Sequence, residues 1–335
     1  MDSLTQIVLG AAVGEILLGR QLGNKALLLG AIGGTLPDMD VVYNLFSDDP
    51  IRQLEVHRSY SHSMFTHLVI SVPLAWMSVK WNKIKIPFKK WYLFWFLTLF
   101  THALLDCCTT YGTQFLLPFT NYQVAFNNIS VIDPLYTLPF LFLLAGCLFI
   151  KREKPLRRKI LWASVAVSSV YMIGTFVLKY DVHLKFKKSL VTQNIHYNEL
   201  NTTPTILNAV LWSAIAYDDS MIYTSEYSYL MKDEKIIWNG YPRNLDKLAA
   251  YDSKALSTIT WFSDGNYFVK PIQGDTLAFY NIKFGRGNFN TTEPDSTFIF
   301  YWKFYIDNHE VKYKEVRPEW KFNEAWAMLM KRIGI

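Results

Sequence analysis

The sequence predicts an α-helical transmembrane bundle followed by a C-terminal soluble α+β domain built on an antiparallel sheet. Three observations lead to this fold class. The 335-residue chain is 51% hydrophobic and only 19% charged, which excludes a disordered or collagen-like chain. Long apolar runs fill residues 1–180, whereas residues 181–335 alternate aromatic, β-branched and polar residues. Up to Asp181 there are 16 Lys and Arg against 11 Asp and Glu, and beyond it 18 against 17, so the excess positive charge lies in the apolar part.

The first part contains four apolar runs that are long enough, or nearly long enough, to cross a bilayer, for which about 20 apolar residues are needed. These runs are 64–80, 91–106, 131–150 and 160–178. Two shorter runs, 4–18 and 26–36, precede them and are separated by the polar sequence GRQLGNK. Their length is typical of a helical hairpin that dips into the membrane or packs on the other helices.

Two short basic loops predict the orientation. They hold 11 of the 16 basic residues of the first part, and their members are Lys80, Lys83, Lys85, Lys89 and Lys90, then Lys151, Arg152, Lys154, Arg157, Arg158 and Lys159. The positive-inside rule makes both loops cytoplasmic. We therefore expect a multi-pass membrane protein, with loops 37–63 and 107–130 and the domain 181–335 on the extracytoplasmic side. Because the basic loops alternate with apolar spans, this interpretation is favoured over a nucleic-acid-binding surface.

The second part predicts a sheet of short strands separated by turn sequences such as Asp264-Gly265-Asn266. The expected strands are 220–230, 257–261, 267–272, 276–284 and 297–305. Helices are expected at 204–217 and 322–333.

The sequence HALLD places His102 and Asp106 four residues apart near the end of an apolar run. On a helix this spacing puts an imidazole and a carboxylate on one face, close enough to share a metal ion. Ionisable side chains near hydrocarbon are costly and by default indicate function. A His–Asp hydrogen bond without a metal remains the alternative.

The sequence LPDMD supplies Asp38 and Asp40 after a proline that ends an apolar run. Two carboxylates separated by a single residue repel each other unless water or a cation lies between them. Ordinary N-capping of the next helix explains either aspartate equally well when it is taken alone.

The sequence HRSYSHSMFTH adds His57, His62 and His67, five residues apart in turn, a spacing that does not line up on one helix face. Because Ser61 and Ser63 are good N-cap residues, the span at 64–80 is expected to start here, with His57 and His62 near its outer end. His67 lies deeper and is better explained as a core histidine with a hydrogen-bond partner.

The predicted topology brings these three stretches to one membrane face. Unpaired Asp and His side chains so close to hydrocarbon would be costly, and a divalent metal would remove that cost. Mixed imidazole and carboxylate ligands favour Zn²⁺, with Mn²⁺ or Fe²⁺ as alternatives, and six candidate ligands leave room for two ions.

The motifs MDSLTQIVLGAAVGE, GTLPDMD, HRSYSHS and HALLDCCTTYGTQ together resemble those of the membrane-bound, metal-dependent hydrolase family of YdjM-like inner-membrane proteins. The resemblance covers residues 1–140 best. It implies a metal site made of Asp38, Asp40, His57, His62, His102 and Asp106. Relatives carry a histidine where this chain has Gln6, so the chain departs from the family pattern there. The helical H-x-x-x-D element also bears a distant likeness to zinc-dependent phospholipase C and P1-type nucleases.

These observations predict a hydrolase in which a metal-activated water attacks an ester bond, with Asp38 or Asp40 as general base. A phosphoester of a lipid-like or envelope substrate is preferred because the site would lie at the lipid–water boundary. The sequence shows no H-E-x-x-H, G-x-S-x-G or Walker A motif. The alternative is a non-catalytic membrane protein with a structural metal and a partner-binding C-terminal domain. A metal transporter is disfavoured, since its polar residues would run through the membrane.

Overall fold

The computed structural model describes residues 1–81, 84–286, 298–299, 301–317 and 322–335. The chain divides into two compact units, Met1–Phe176 and Val177–Ile335.

The first unit is helical. Its helices, the last of which continues into the second unit, are α1 (Ser3–Leu22), α2 (Asn24–Thr35), α3 (Pro50–Val56), α4 (Met64–Trp81), α5 (Phe88–Cys107), α6 (Pro134–Ala145) and α7 (Pro155–Thr192). Short 3₁₀ segments occur at Pro37–Leu45, Tyr60–His62 and Gly146–Phe149. Asp2 and Asp133 accept backbone N–H groups at the starts of α1 and α6, which satisfies donors that have no partner inside the helix.

Helices α1 and α2 form a tight hairpin in which glycines permit close backbone contact. A Cβ at Gly10 would overlap the carbonyl oxygen of Gly30 and lie 2.8 Å from the Cα of Gly34. Small residues at four-residue spacing are a common way for apolar helices to approach closely. The predicted helical hairpin of 4–18 and 26–36 is therefore present, and it fixes the position of the α2 C-terminus.

Among the described residues, two helices are long and apolar enough to cross a membrane, α1 and α7. A third span would result if α2 and the 3₁₀ segment after it, which are bent by 52°, counted as one. Helix α7 contains the predicted run 160–178. Helix α1 contains the predicted run 4–18 and extends beyond it at both ends. The other predicted runs lie in α4, α5 and the α6 region, and a full transmembrane bundle stays a prediction.

The second unit contains two antiparallel four-stranded sheets, each with its strands in sequence order. One consists of β1 (Glu199–Pro204), β2 (Leu211–Tyr217), β3 (Met221–Ser228) and β4 (Asn239–Pro242), and the other of β5 (Tyr267–Pro271), β6 (Thr276–Asn281), β7 (Tyr301–Asp307) and β8 (Glu310–Val316). Helices α8 (Lys254–Ser263) and α9 (Phe322–Ile333) complete the unit. Ile215 and Ile222 of the first sheet share one buried cluster with Phe268 and Tyr280 of the second.

Arg243 joins the two sheets from a buried position after β4. Its guanidinium donates to the carbonyl oxygens of Asp218, Gly265 and Tyr267 at 2.8, 2.9 and 3.2 Å. The ring centroids of Tyr217 and Tyr267 lie 4.8 and 5.1 Å from it, which adds cation–π stabilisation to a guanidinium whose three nitrogens each donate a hydrogen bond.

The antiparallel character of this unit is confirmed, and two element predictions are wrong. The expected helix at 204–217 contains β2, because Trp212, Ala214 and Ile215 are all buried in a central strand and carry no helical face. The expected strand at 257–261 lies in α8, which Ser253 caps. The predicted strands 220–230, 267–272 and 276–284 and the helix 322–333 are present. In the predicted strand 297–305, residues 297 and 300 lie outside the described part, and β7 begins at Tyr301.

Candidate metal centre

Pro37 ends α2 and starts the 3₁₀ segment that carries Asp38 and Asp40. Proline removes a backbone donor and disfavours helix in the residue before it, so the chain bends here. Asp38 remains 19% exposed at its side chain, whereas Asp40 is 5% exposed.

The C-terminal end of α5 supplies His102 and Asp106. As their spacing predicts, both side chains lie on one face of the helix, and both are buried. Their Nε2 and Oδ2 atoms are 3.7 Å apart.

His62 ends the short 3₁₀ segment before α4. Ser63 follows it, accepts the N–H of Thr66 and donates to the carbonyl oxygen of Leu117 at 2.6 Å. This capping holds His62 at the start of α4, fully buried and facing α5.

Four ligand atoms converge from these segments. The group consists of Asp38, His62, His102 and Asp106, with one donor atom of each within 4.8 Å of the others. The two imidazole Nε2 atoms are 3.1 Å apart, and Asp38 Oδ1 lies 3.4 Å from each of them. Asp106 Oδ2 lies 3.2 Å from His62 Nε2. The separations are those of ligands around one small ion.

Hydrogen bonds fix which nitrogen of each histidine is free. His102 Nδ1 lies 2.6 Å from the carbonyl oxygen of Gly34, which can only accept, so Nδ1–H donates. Ser61 donates its hydroxyl hydrogen to the Asp40 carboxylate at 2.8 Å and therefore accepts from His62 Nδ1 at 2.9 Å. In both neutral imidazoles the Nε2 lone pair thus points into the cluster, as in histidines that bind metals.

The electrostatics favour a positive charge in the cluster. Burial lowers the pKa of His62, but the neighbouring carboxylates of Asp106 and Asp38 outweigh burial and raise it. Burial raises the pKa of Asp38, whereas the facing imidazoles of His102 and His62 outweigh it and hold this pKa well below its usual range. Two carboxylates and two imidazole lone pairs in a buried space repel one another unless a proton or a metal cation lies between them.

Asp106 is held by Gln6, the position at which the chain departs from the family pattern, and by Met1 and Arg58, for which the sequence predicts no role. Gln6 donates to its Oδ1 at 2.9 Å, and the α-amino group of Met1 contacts the same oxygen. Arg58 Nε lies 3.1 Å from Oδ2, and Arg58 also donates to Thr109 at 3.0 Å. Nevertheless Oδ2 is buried without a hydrogen bond of acceptable geometry, and so is Gln6 Oε1. A buried acceptor without a hydrogen bond, beside two imidazole lone pairs, fits a metal ion.

Asp40 and His57 lie beside the four-residue group and are bonded to each other. The Nδ1 of His57 is 3.0 Å from Asp40 Oδ1, and Asp40 Oδ2 accepts from Ser61 and from the backbone N–H of Arg58 at 2.8 Å each. The pKa of Asp40 is lowered, because its bonds to His57 and the Arg58 N–H outweigh the raising effect of burial. Asp40 therefore orients His62 through Ser61 and holds His57 directly.

Of the six residues predicted as metal ligands, the structure brings four together and leaves His57 and Asp40 next to them. His67 is buried with its Nε2 2.8 Å from the carbonyl oxygen of Ser61, which agrees with a structural role. Arg58 and Ser61 stand inside the HRSYSHS motif, so their position next to the predicted ligands was the available signal for a supporting role.

Comparison with known proteins agrees with the resemblance seen in the sequence. A family model described as YdjM inner membrane protein matches residues 1–182. Over 141 residues the chain is 28% identical to the uncharacterized protein YfhP of Bacillus subtilis (strain 168), and this match covers 40% of the chain and 42% of that relative. The chain thus spans less than half the length of the curated relative it matches. No solved structure matches it. The distant likeness to zinc-dependent phospholipase C and P1-type nucleases stays a prediction.

Proposed function

The chain belongs to the YdjM inner membrane protein family, and we propose that it is a membrane-bound, metal-dependent hydrolase of phosphoesters in lipid-like or envelope substrates. The observation that carries this proposal is the convergence of two imidazole lone pairs and two carboxylates in one buried group. The sequence motifs predict the same function with six candidate ligands, and the convergence of four of these side chains supports it.

The ligands we assign are Asp38, His62, His102 and Asp106, around one divalent ion, with Zn²⁺ preferred and Mn²⁺ or Fe²⁺ as alternatives. Such an ion would supply Lewis-acid activation of water and of the ester. Three ligands are buried, so the partly exposed side of the group at Asp38 is where we place the substrate.

His57 and Asp40 are assigned to proton transfer. The Asp40 carboxylate accepts from Nδ1 of His57, which leaves Nε2 of a 27% exposed imidazole able to take or give a proton. A carboxylate that holds the tautomer of a histidine in this way is a recurrent arrangement in hydrolases. In the proposed reaction the oxygen of water bonds to phosphorus and the ester P–O bond breaks. His57 accepts the proton of the water and returns it to the leaving oxygen. Asp40 thus becomes a positioning residue rather than the general base.

The substrate class follows from location. The family is one of inner membrane proteins, and the ligands lie where α2, α4 and α5 begin or end. Such positions lie at a lipid–water boundary if these helices span the bilayer. We therefore propose a multi-pass topology with the metal centre and the C-terminal unit on the extracytoplasmic side.

Hydrolysis is tested with the full-length protein in detergent micelles and a panel of phosphomonoesters, phosphodiesters and phospholipids. We expect at least one ester to be hydrolysed, with activity lost on chelation and restored by Zn²⁺, Mn²⁺ or Fe²⁺. Metal binding at full stoichiometry without hydrolysis of any member would contradict the proposed enzyme and favour a structural metal.

The role of His57 is tested by His57→Gln. We expect kcat to fall by about 10²- to 10⁴-fold, the usual contribution of general acid–base catalysis, with the bound metal unchanged. The matched control is His67→Gln, which alters a histidine outside the group. If His57→Gln removed the metal, His57 would be a ligand and the proton-transfer assignment would be wrong.

A further inference from the structure

A second site lies in the helical unit, at the opposite end of α1 from the candidate metal centre. A cavity of about 790 Å³ opens between α1, the start of α5 and the first turns of α7. Glu15 on its wall is about 14 Å along the helix axis from Gln6, at 1.5 Å per residue. The cavity is therefore separate from the proposed hydrolytic site.

One buried ion pair builds the wall of this cavity. Arg157 donates to both carboxylate oxygens of Glu15, at 2.6 and 2.7 Å. Its remaining nitrogen donates to Asn24 and to the carbonyl oxygen of Ile150, at 2.7 Å each. Arg157 is thus a fixed structural element whose donors are already used, and it neutralises Glu15.

The second acidic residue of the cavity is also neutralised. Glu153 accepts from Arg152 Nε at 2.9 Å, while another nitrogen of Arg152 donates to the carbonyl oxygen of Gln21 at 2.9 Å. Each of the two carboxylates in the lining is therefore paired with an arginine, Glu15 with Arg157 and Glu153 with Arg152.

Four further cations line the same cavity. They are Arg20, Lys90, Lys154 and Arg158. Within the part of the chain that the structure describes, no ion pair joins any of them to a carboxylate. Four like charges around one cavity repel one another, and an anion with more than one negative oxygen would relieve that repulsion.

Apolar side chains complete the lining. Ile16, Leu17 and Leu161 lie next to the cations, and Trp162 is 49% exposed. Tryptophan beside basic residues at the end of an apolar helix is typical of the headgroup level of a membrane.

We propose that this cavity binds the headgroup of an anionic phospholipid, with its phosphodiesters on the four free cations and its acyl chains along the apolar side chains. Basic pockets between membrane helices bind lipids of this class. A soluble phosphate ester offers the same phosphate chemistry, but it would leave the side chains of Ile16 and Trp162, which are 40% and 49% exposed, uncovered. The lipid therefore fits the lining of the cavity better than a soluble phosphate ester does.

The test uses the full-length protein in detergent micelles and native mass spectrometry. Dissociation constants are measured for diphosphatidylglycerol, phosphatidylcholine and sodium glycerophosphate. We expect diphosphatidylglycerol to bind far more tightly than the other two. The double variant Arg20→Gln/Arg158→Gln should weaken that binding about 30-fold, since each basic residue near a membrane surface contributes about a fivefold change.

The matched control is Lys25→Gln/Lys89→Gln, which removes the same charge from two exposed positions outside the lining. It should bind diphosphatidylglycerol as the unaltered protein does, and both double variants should keep the metal. Equal weakening by the two double variants would show a diffuse charge effect and overturn the proposal. Tighter binding of glycerophosphate than of the lipid would overturn the lipid assignment.

Discussion

Replacing His102 by alanine is expected to lower metal affinity by about 10²-fold or more and to abolish phosphoester hydrolysis. The Nε2 of His102 lies in the centre of the group, 3.1 Å from that of His62 and 3.4 Å from Asp38. Loss of a residue that only orients a ligand costs 10- to 100-fold in affinity, so loss of a ligand costs at least as much. Elemental analysis of the purified protein measures the effect.

His67→Gln is the matched control for this prediction, because His67 is buried on α4 but its Nε2 faces the Ser61 carbonyl rather than the group. It should keep the metal. Asp38→Asn should behave like His102→Ala, although less severely, because the amide oxygen still offers a neutral ligand. If His102→Ala retained full metal content, these four residues would not be the site.

The second large effect is expected from Gly10→Ala. The added methyl group would overlap the Gly30 carbonyl oxygen and press on the Gly34 backbone, so α1 and α2 must separate. Overpacking of this kind costs about 3 kcal/mol in the free energy of unfolding. Because the Gly34 carbonyl accepts from Nδ1 of His102, the displacement should also lower metal affinity by about 10-fold.

Gly174→Ala is the natural control, since nothing lies within 4 Å of a Cβ at Gly174 on α7. Chemical unfolding in micelles and metal titration should show both effects for Gly10→Ala and neither for Gly174→Ala. Equal unfolding free energies for the two variants would contradict the proposed tight hairpin. Loss of stability without loss of metal affinity would contradict the claim that the α1–α2 hairpin orients His102.

The features that the sequence predicts well are those that depend on local spacing. The four-residue separation of His102 and Asp106, the proline before Asp38 and the N-cap serine before α4 each determine a local conformation, and all three are present in the structure. The C-terminal antiparallel sheets follow from aromatic and β-branched alternation in the same way. The predicted helix at 204–217 was wrong because Trp212 and its neighbours form a fully buried strand. Such a strand lacks the alternation of apolar and polar residues that distinguishes a strand from a helix.

The different contacts that the site residues make could not be predicted from local spacing. Asp38 and Asp40 are two residues apart and chemically identical, yet one faces two imidazoles and the other faces His57 and Ser61. That difference depends on how the 3₁₀ segment meets the residues before α4, which are distant in sequence. The supporting role of Arg58 depends on the same long-range contact.

X-ray absorption at the metal edge of the purified protein tests the central claim most directly. For bound Zn²⁺ we predict four ligands at about 2.0–2.2 Å, two of them with imidazole scattering, and weaker imidazole scattering in His62→Ala and in His102→Ala. A spectrum without imidazole, or one that these two substitutions leave unchanged, would contradict a metal centre formed by the LPDMD, HRSYSHS and HALLD segments.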